Sequence, residues 1–484
     1  MSILSSVASA EPRVVTIPGK SPIVSFRVVF LTGAAADPAD KPGLASLTAT
    51  MMTDGGTRDM TYKQVVDALF PMAARVSSEV DKEMVTISGA THVDNLEAYY
   101  KIFRAMILTP GWRADDFTRL RDDEVNYLRV SLRQANDEEL GKEALYEQIY
   151  RGTPYGHINN GKVSALEKMS VDDLKSFYQS HFTRNNVIIG LAGGYPPGFV
   201  ERVRADFAKN LPAASAPDPA AVSPAPITGR NLTIIDKQTR SVAYSVGFPI
   251  DVKRGDPDFP ALLVASTYFG QHRMSLGRLY QRIRELRGIN YGDYSYIEYF
   301  PRGMYQFEPE PNLARQSQIF QIWIRPVEPP TAVFALRLAL YELDNLVNDG
   351  LSQQDFEDAR SYALKNVNLL LKTGRAQLGY AIDSAYYHIP EYHQYLHDSL
   401  TKLTRSDVNR AIRKRFQTKD LDIVAVSSNG EELKKKLLSG EPSPMTYNSP
   451  KAKEVVEEDK IVEKYPLAID PDRVTILPVD TVFE

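Results

Sequence analysis

Ser170-Val-Asp-Asp173, followed by the apolar run Asn186-Val-Ile-Ile-Gly-Leu-Ala192, returns later in the chain as Thr404-Arg-Ser-Asp407 followed by Leu421-Asp-Ile-Val-Ala-Val426. In both places a hydroxyl residue precedes an acidic residue by three positions, so each can cap the backbone of the other at a helix start. Each apolar run suits a central strand. A capped helix leading into a central strand, met twice, predicts two copies of one folding unit.

Reading backwards from these anchors extends the match. The first copy shows a strand-like Ile23–Leu31, a helical stretch from Gly43, an alternating strand pattern over Arg75–Ser88 and a helix over Leu96–Leu108. The second repeats the order with Ala243–Phe248, Phe259–Tyr268, Tyr291–Tyr299 and Thr331–Val347. Leu96, Tyr99, Phe103 and Met106 share one helical stripe, as do Leu336, Leu340, Leu343 and Val347. A further long helix is expected from Asp116-Phe117 in one copy and Asp355-Phe356 in the other. The duplication rests on order and pattern, not on identity.

Composition bounds the rest. A chain of 484 residues holds two to four domains of ordinary size. Its formal net charge of −4 gives no reason to expect nucleic acid or an anionic membrane as partner. No apolar run is long enough for a spanning helix. Cysteine is absent, which excludes disulfides and thiolate chemistry. The expected divisions are 1–12, 13–210, a Pro/Ala-rich linker at 211–228 with too little apolar content for a core, 229–440, and a tail at 441–484. The tail interleaves Lys with Glu before its prolines. It reads as a solvated extension or as an arm on a partner subunit. Ala8-Ser9-Ala10 reads either as the remnant of an export signal or as an ordinary small-residue terminus.

Gly43-Leu-Ala-Ser-Leu-Thr-Ala-Thr-Met51 with Asp54-Gly-Gly-Thr57 resembles the zinc-site helix of the pitrilysin/insulinase peptidases, the inverzincins. There, two histidines four apart share a helix face and hold zinc, and the Glu between them is the general base. Here the histidine positions carry Ser46 and Thr50, and the base position carries Ala49. Hydroxyls are poor zinc ligands and a methyl group accepts no proton. Alignment through Asn136-Asp-Glu-Glu-Leu140 puts the family's distal Glu near Leu128-Arg129, with Glu124 one turn away. Thr153-Pro-Tyr-Gly-His157, Leu166–Ser170 and Phe177–Phe182 continue the likeness. The stretch matching the family's substrate-pairing edge, Arg75–Val80, departs from the usual Asn-Ala, which counts against pairing there. His393 and His397, four apart after Pro390, read as polar residues on a half-buried aromatic helix rather than as a metal site.

In the second copy, Leu279-Tyr-Gln-Arg-Ile-Arg-Glu-Leu-Arg-Gly-Ile-Asn-Tyr291 resembles the family's Arg-Glu-x-x-Gly-x-x-Tyr pattern. The resemblance implies that Arg284 and Tyr291 bind the substrate backbone and support the oxyanion of the transition state. Without that likeness, Arg284 reads as a surface helix residue and Tyr291 as one aromatic among many.

The resemblance as a whole implies an α+β fold of two homologous repeats, each a mostly antiparallel sheet packed with helices, forming half of a clamshell peptidase. It implies the non-catalytic subunit of the two-component branch, holding no metal itself. Its partner would be a homologous subunit carrying the zinc, and its substrate a peptide or unfolded segment. A structural or peptide-binding scaffold is the alternative. The expected compartment is the periplasm, with the cytoplasm as alternative. A mitochondrial processing-peptidase role fits less well, because no long Gly-rich loop is present.

Overall fold

The computed structural model describes residues 11–271, 275–300 and 308–484. Ala8-Ser9-Ala10 and His272 lie outside the described residues. The first repeat begins with β1 (Arg13–Pro18), β2 (Ile23–Phe30), α1 (Leu44–Asp54), α2 (Tyr62–Leu69), β3 (Arg75–Val80) and β4 (Val85–His92). It continues with α3 (Leu96–Leu108), α4 (Ala114–Asn126), α5 (Asp137–Ile149), the short α6 (Val163–Leu166), α7 (Val171–His181), β5 (Val187–Gly193) and α8 (Phe199–Asn210).

The second repeat opens with β6 (Arg230–Asp236), β7 (Val242–Ile250), α9 (Phe259–Gly270), a π-helical turn at Tyr280–Glu285, β8 (Asp293–Tyr296) and β9 (Gln318–Val327). Then follow α10 (Ala332–Asp349), α11 (Gln353–Leu370), α12 (Gly374–Tyr387), α13 (Tyr392–Lys402), α14 (Arg405–Arg415), β10 (Leu421–Ser427) and α15 (Gly430–Leu438). The tail adds α16 (Lys453–Val462) and β11 (Ile469–Pro478).

The duplication is visible in the sheets. One has the order β1-β5-β2-β4-β3 and the other β11-β6-β10-β7-β9-β8, so the orders superpose once β11 is set aside. In both sheets the first repeat-encoded pair is parallel and the pairs beyond it are antiparallel. The apolar runs that flagged the duplication are the central strands β5 and β10. The capping boxes at Ser170/Asp173 and Thr404/Asp407 are both formed. Leu96, Tyr99, Phe103 and Met106 are buried in one core; Leu336, Leu340 and Leu343 are buried in the other.

The repeats exchange helices. α5 packs on β10, β7 and β9 of the second sheet, while α12 packs on β5, β1 and β2 of the first. This explains why α5 is buried nearly all round although it carries Glu138, Glu139, Lys142 and Glu143. Their partners lie on the other repeat or within the helix: Arg325 Nε donates to Glu138 at 3.0 Å, and Lys142 pairs with Glu139 at 2.5 Å while standing over Trp323.

Three expectations are corrected. Arg75–Ser88 is a hairpin and not one strand, turning where Asp81 N–H donates to Met84 O at 2.9 Å. The turn residues Asp81, Lys82 and Glu83 are buried because the second repeat supplies partners, Arg315 to Asp81 and the Gln316 N–H to Glu83. Tyr291–Tyr299 is strand only over Asp293–Tyr296, so Tyr291 precedes the strand. The tail is not merely solvated: β11 pairs in parallel with β6, and Val482–Glu484 reach the first repeat, where Arg133 Nε donates to Val482 O at 2.6 Å.

Candidate functional site

The degenerate helix starts where the chain leaves Gly43 in a left-handed conformation, φ +98°, pressed so closely on Asn160 and Gly161 that a Cβ would meet the Asn160 carbonyl at 2.7 Å. Asp37 caps this helix, accepting from the N–H groups of Gly43 and Ala45 at 2.7 Å each. Burial pushes the Asp37 carboxyl up to about 7, against the pull of those hydrogen bonds. One face of α1 presents Ser46 and Thr50 to a cavity of about 260 Å³. Ala49 is fully buried and does not line it.

The other walls come from distant parts of the chain. Ser78 and Glu79 belong to the edge strand β3, Glu124 and Tyr127 to the end of α4, Glu139 and Glu143 to α5, and Tyr299 to the second repeat. Tyr299 donates to Glu143 at 3.2 Å, and the Arg315 guanidinium lies 3.5 Å over the Tyr299 ring. Burial raises Glu124 and Glu143 to about 7 each. Glu124 accepts from Asn160 Nδ2 at 2.5 Å.

Glu124, one turn before Leu128, is the α4 carboxylate that reaches this cavity. Leu128 is buried in the core and Arg129 pairs with Glu167 at 3.0 Å, whereas Glu124 stands in the cavity with Ser46 and Thr50. The α4 helix passes into a π-helical turn at Tyr127–Leu132. That turn rotates the faces beyond it relative to those of α4. At Ser46, Thr50 and Glu124, two hydroxyls and one carboxylate engaged by an amide are not a donor set for zinc. Among the described residues no group of three His, Cys, Asp or Glu side chains is arranged to hold a metal. His393 and His397 lie on α13, their rings 6.0 Å apart, with His393 against Asn368.

Arg284 and Tyr291 are brought together, but outside that cavity. Gly288, at φ +68°, turns the chain so that its N–H donates to the Arg284 carbonyl at 2.7 Å, and Tyr291 returns beside Arg284. The guanidinium lies 4.8 Å from the Tyr280 ring centre and 5.9 Å from that of Tyr291. Tyr291 is 78 % exposed. The neighbouring arginines differ. Arg278 and Arg282 pair with Glu342 at 2.7 and 2.8 Å, and Arg287 pairs with Glu458 at 2.6 Å and Asp459 at 2.8 Å. Arg284 has the solvent-facing Glu285 at 3.7 Å as its recorded ion pair. Three arginines anchor the turn, and the fourth is presented.

The sequence matches the description of the insulinase family, peptidase M16, over residues 13–160, and that of the peptidase M16 inactive domain over 168–362. The chain belongs to the M16 peptidase family. It lacks that family's zinc motif. A non-peptidase homolog, YmxG of Helicobacter pylori, is 19% identical over 418 residues, covering 85% of this chain and 90% of the relative. Among solved structures, a peptidase M16 inactive domain from Pseudomonas fluorescens superposes with a TM-score of 0.75 at 21% identity, covering 87% of this chain and 97% of that one. The periplasmic protease PqqL from Escherichia coli gives 0.66 at 16% identity, covering 96% of this chain but 50% of its own. Among the described residues no helix is long and apolar enough to cross a membrane.

Proposed function

We propose that this M16 chain is the non-catalytic subunit of a heterodimeric zinc metallopeptidase. A homologous partner would supply the zinc and the general base, while this chain contributes Arg284 and Tyr291 to the shared site. The carrying observation is the contrast along one turn: Arg278, Arg282 and Arg287 are held by carboxylates, whereas Arg284 stands beside an exposed Tyr291. A guanidinium and a phenol at the surface can donate to the carbonyls of an extended peptide and to the oxyanion formed when one is attacked. That PqqL is covered only over half its length supports reading this chain as one half of a clamshell. The periplasm, the compartment of the PqqL protease, is the proposed compartment.

The scaffold reading is favoured by the YmxG relative, described as a non-peptidase. One experiment separates the two. The chain is co-expressed with a zinc-bearing M16 homologue, and hydrolysis of reduced, carboxymethylated casein is measured. Arg284→Ala should lower kcat/KM by roughly a hundredfold, the scale of losing an oxyanion donor, with the heterodimer intact. A pair unaffected by this substitution, or a purified chain that cleaves casein alone, overturns the subunit reading.

A further inference from the structure

The tail of the chain, 441–484, lies beyond the matched family regions, which end at residue 362, and beyond the duplicated repeats. It returns to the turn that presents Arg284. α16 packs along α10 and places Glu458 and Asp459 against the π-helical turn. Glu458 bridges Arg282 and Arg287, with Arg287 Nη2 at 2.6 Å. Asp459 takes Arg287 Nε at 2.8 Å and accepts from the Tyr447 hydroxyl at 2.6 Å. Arg287 is fully buried by this clasp, and its Nη1 donates to the Arg282 carbonyl at 2.9 Å. The clasp therefore closes around both flanks of Arg284, two residues before it and three after it.

We infer that Glu458 and Asp459 are positioning residues for the Arg284/Tyr291 pair, and that the tail orients this half-site toward substrate. The inference rests on the subunit reading above. A π-helical turn departs from the regular α-helical ladder and recurs at functional sites. Arg282 and Arg284 within it and Arg278 and Arg287 beside it also repel one another. Neutralising Arg282 and Arg287 from outside fixes the turn and leaves Arg284 as its presented cation. Removing the two tail carboxylates would leave Arg287 as a buried cation without its partners, so the turn would have to open to hydrate it. Arg284 would then lose its register against Tyr291. In reactions that depend on orientation, a shift of about 1 Å costs one to two orders of magnitude.

The test uses the full chain with its zinc-bearing partner and the same casein substrate. Glu458→Gln with Asp459→Asn should lower kcat/KM at least roughly tenfold. Glu458→Asp should recover most of the loss when Asp459 is retained. Hydrogen exchange should rise in the peptide spanning 279–292. In an Arg284→Ala background the tail substitutions should add little, because they act through the residue already removed. Additive losses, or unchanged activity in the tail variant while Arg284→Ala is impaired, overturn the positioning role and leave the subunit reading standing. An inert Arg284→Ala overturns both. If the paired substitution frees the whole tail, seen as exchange throughout 453–484, Glu458→Gln alone carries the test, since Asp459 still holds Arg287 and Tyr447.

Discussion

At Glu124 burial and titration are coupled. The residue lines the cavity facing Ser46 and Thr50, yet burial keeps its carboxyl near neutral, at about 7 against an ordinary 4.5. The folded state therefore holds a proton that the unfolded chain releases between those values. The associated stability is complete below about pH 4.5 and is lost as pH rises through about 7. Gln at this position cannot ionise and still offers an oxygen to Asn160. Glu124→Gln should then be more stable than the parent at pH 8 by on the order of 1–3 kcal/mol, and about equal to it at pH 4.5. Urea midpoints at the two pH values check this; a difference that does not depend on pH rejects it. Ser46, Ala49 and Thr50 could be recognised in the sequence because the motif is local to one helix. Glu124 meets that helix only in the fold, because α4 is brought to the cavity by tertiary packing and not by a local motif. A run of polar residues on a long helix just before a break was the available signal.

Between elements, the hairpin joining β3 to β4 shows why charge patterns mislead in this fold. Asp81-Lys82-Glu83 falls inside the expected strand Arg75–Ser88, yet it forms the turn, and all three charged residues are buried. Arg315 reaches from the second repeat to Asp81, with Nε at 3.0 Å from Oδ2, and both side chains are almost fully buried. Nothing in the linear pattern couples residues so far apart. The same holds for α5, whose lack of an apolar stripe reflects burial on every side. Strand β9, Gln318-Ile-Phe-Gln-Ile-Trp-Ile-Arg-Pro-Val327, was missed although its β-branched and aromatic content announces a strand. Arg315→Met strands the Asp81 carboxylate in the interior and should cost about 3–5 kcal/mol of stability. Asp81→Asn combined with Arg315→Met should recover most of that, because no uncompensated charge remains. Equal losses for the single and double variants would show that the pair contributes packing and not charge compensation.

For the whole molecule, the exchange of helices sets how the chain must fold. α5 leaves the first repeat to cover the second sheet, α12 leaves the second to cover the first, and the tail runs from β11 beside β6 to Arg133 and Val163 in the first repeat. The sequence made the two repeats legible because each carries its own caps and central strand. It concealed their dependence, because the covering helices sit in register within their own repeats. Either repeat by itself would expose the sheet face that the other covers and would solvate Glu139 and Lys142 apart from Trp323. Large apolar burial shared across a boundary couples the unfolding of both sides. The full chain should therefore unfold in one cooperative transition despite its two repeats and its linker. The first repeat expressed as residues 11–228 should show no cooperative transition, and should regain one when residues 229–484 are added in trans. Differential scanning calorimetry decides between these outcomes. Two separated endotherms in the full chain, one reproduced by the isolated first repeat, would mean that each repeat is a self-sufficient domain and that the exchanged helices dock after folding is complete.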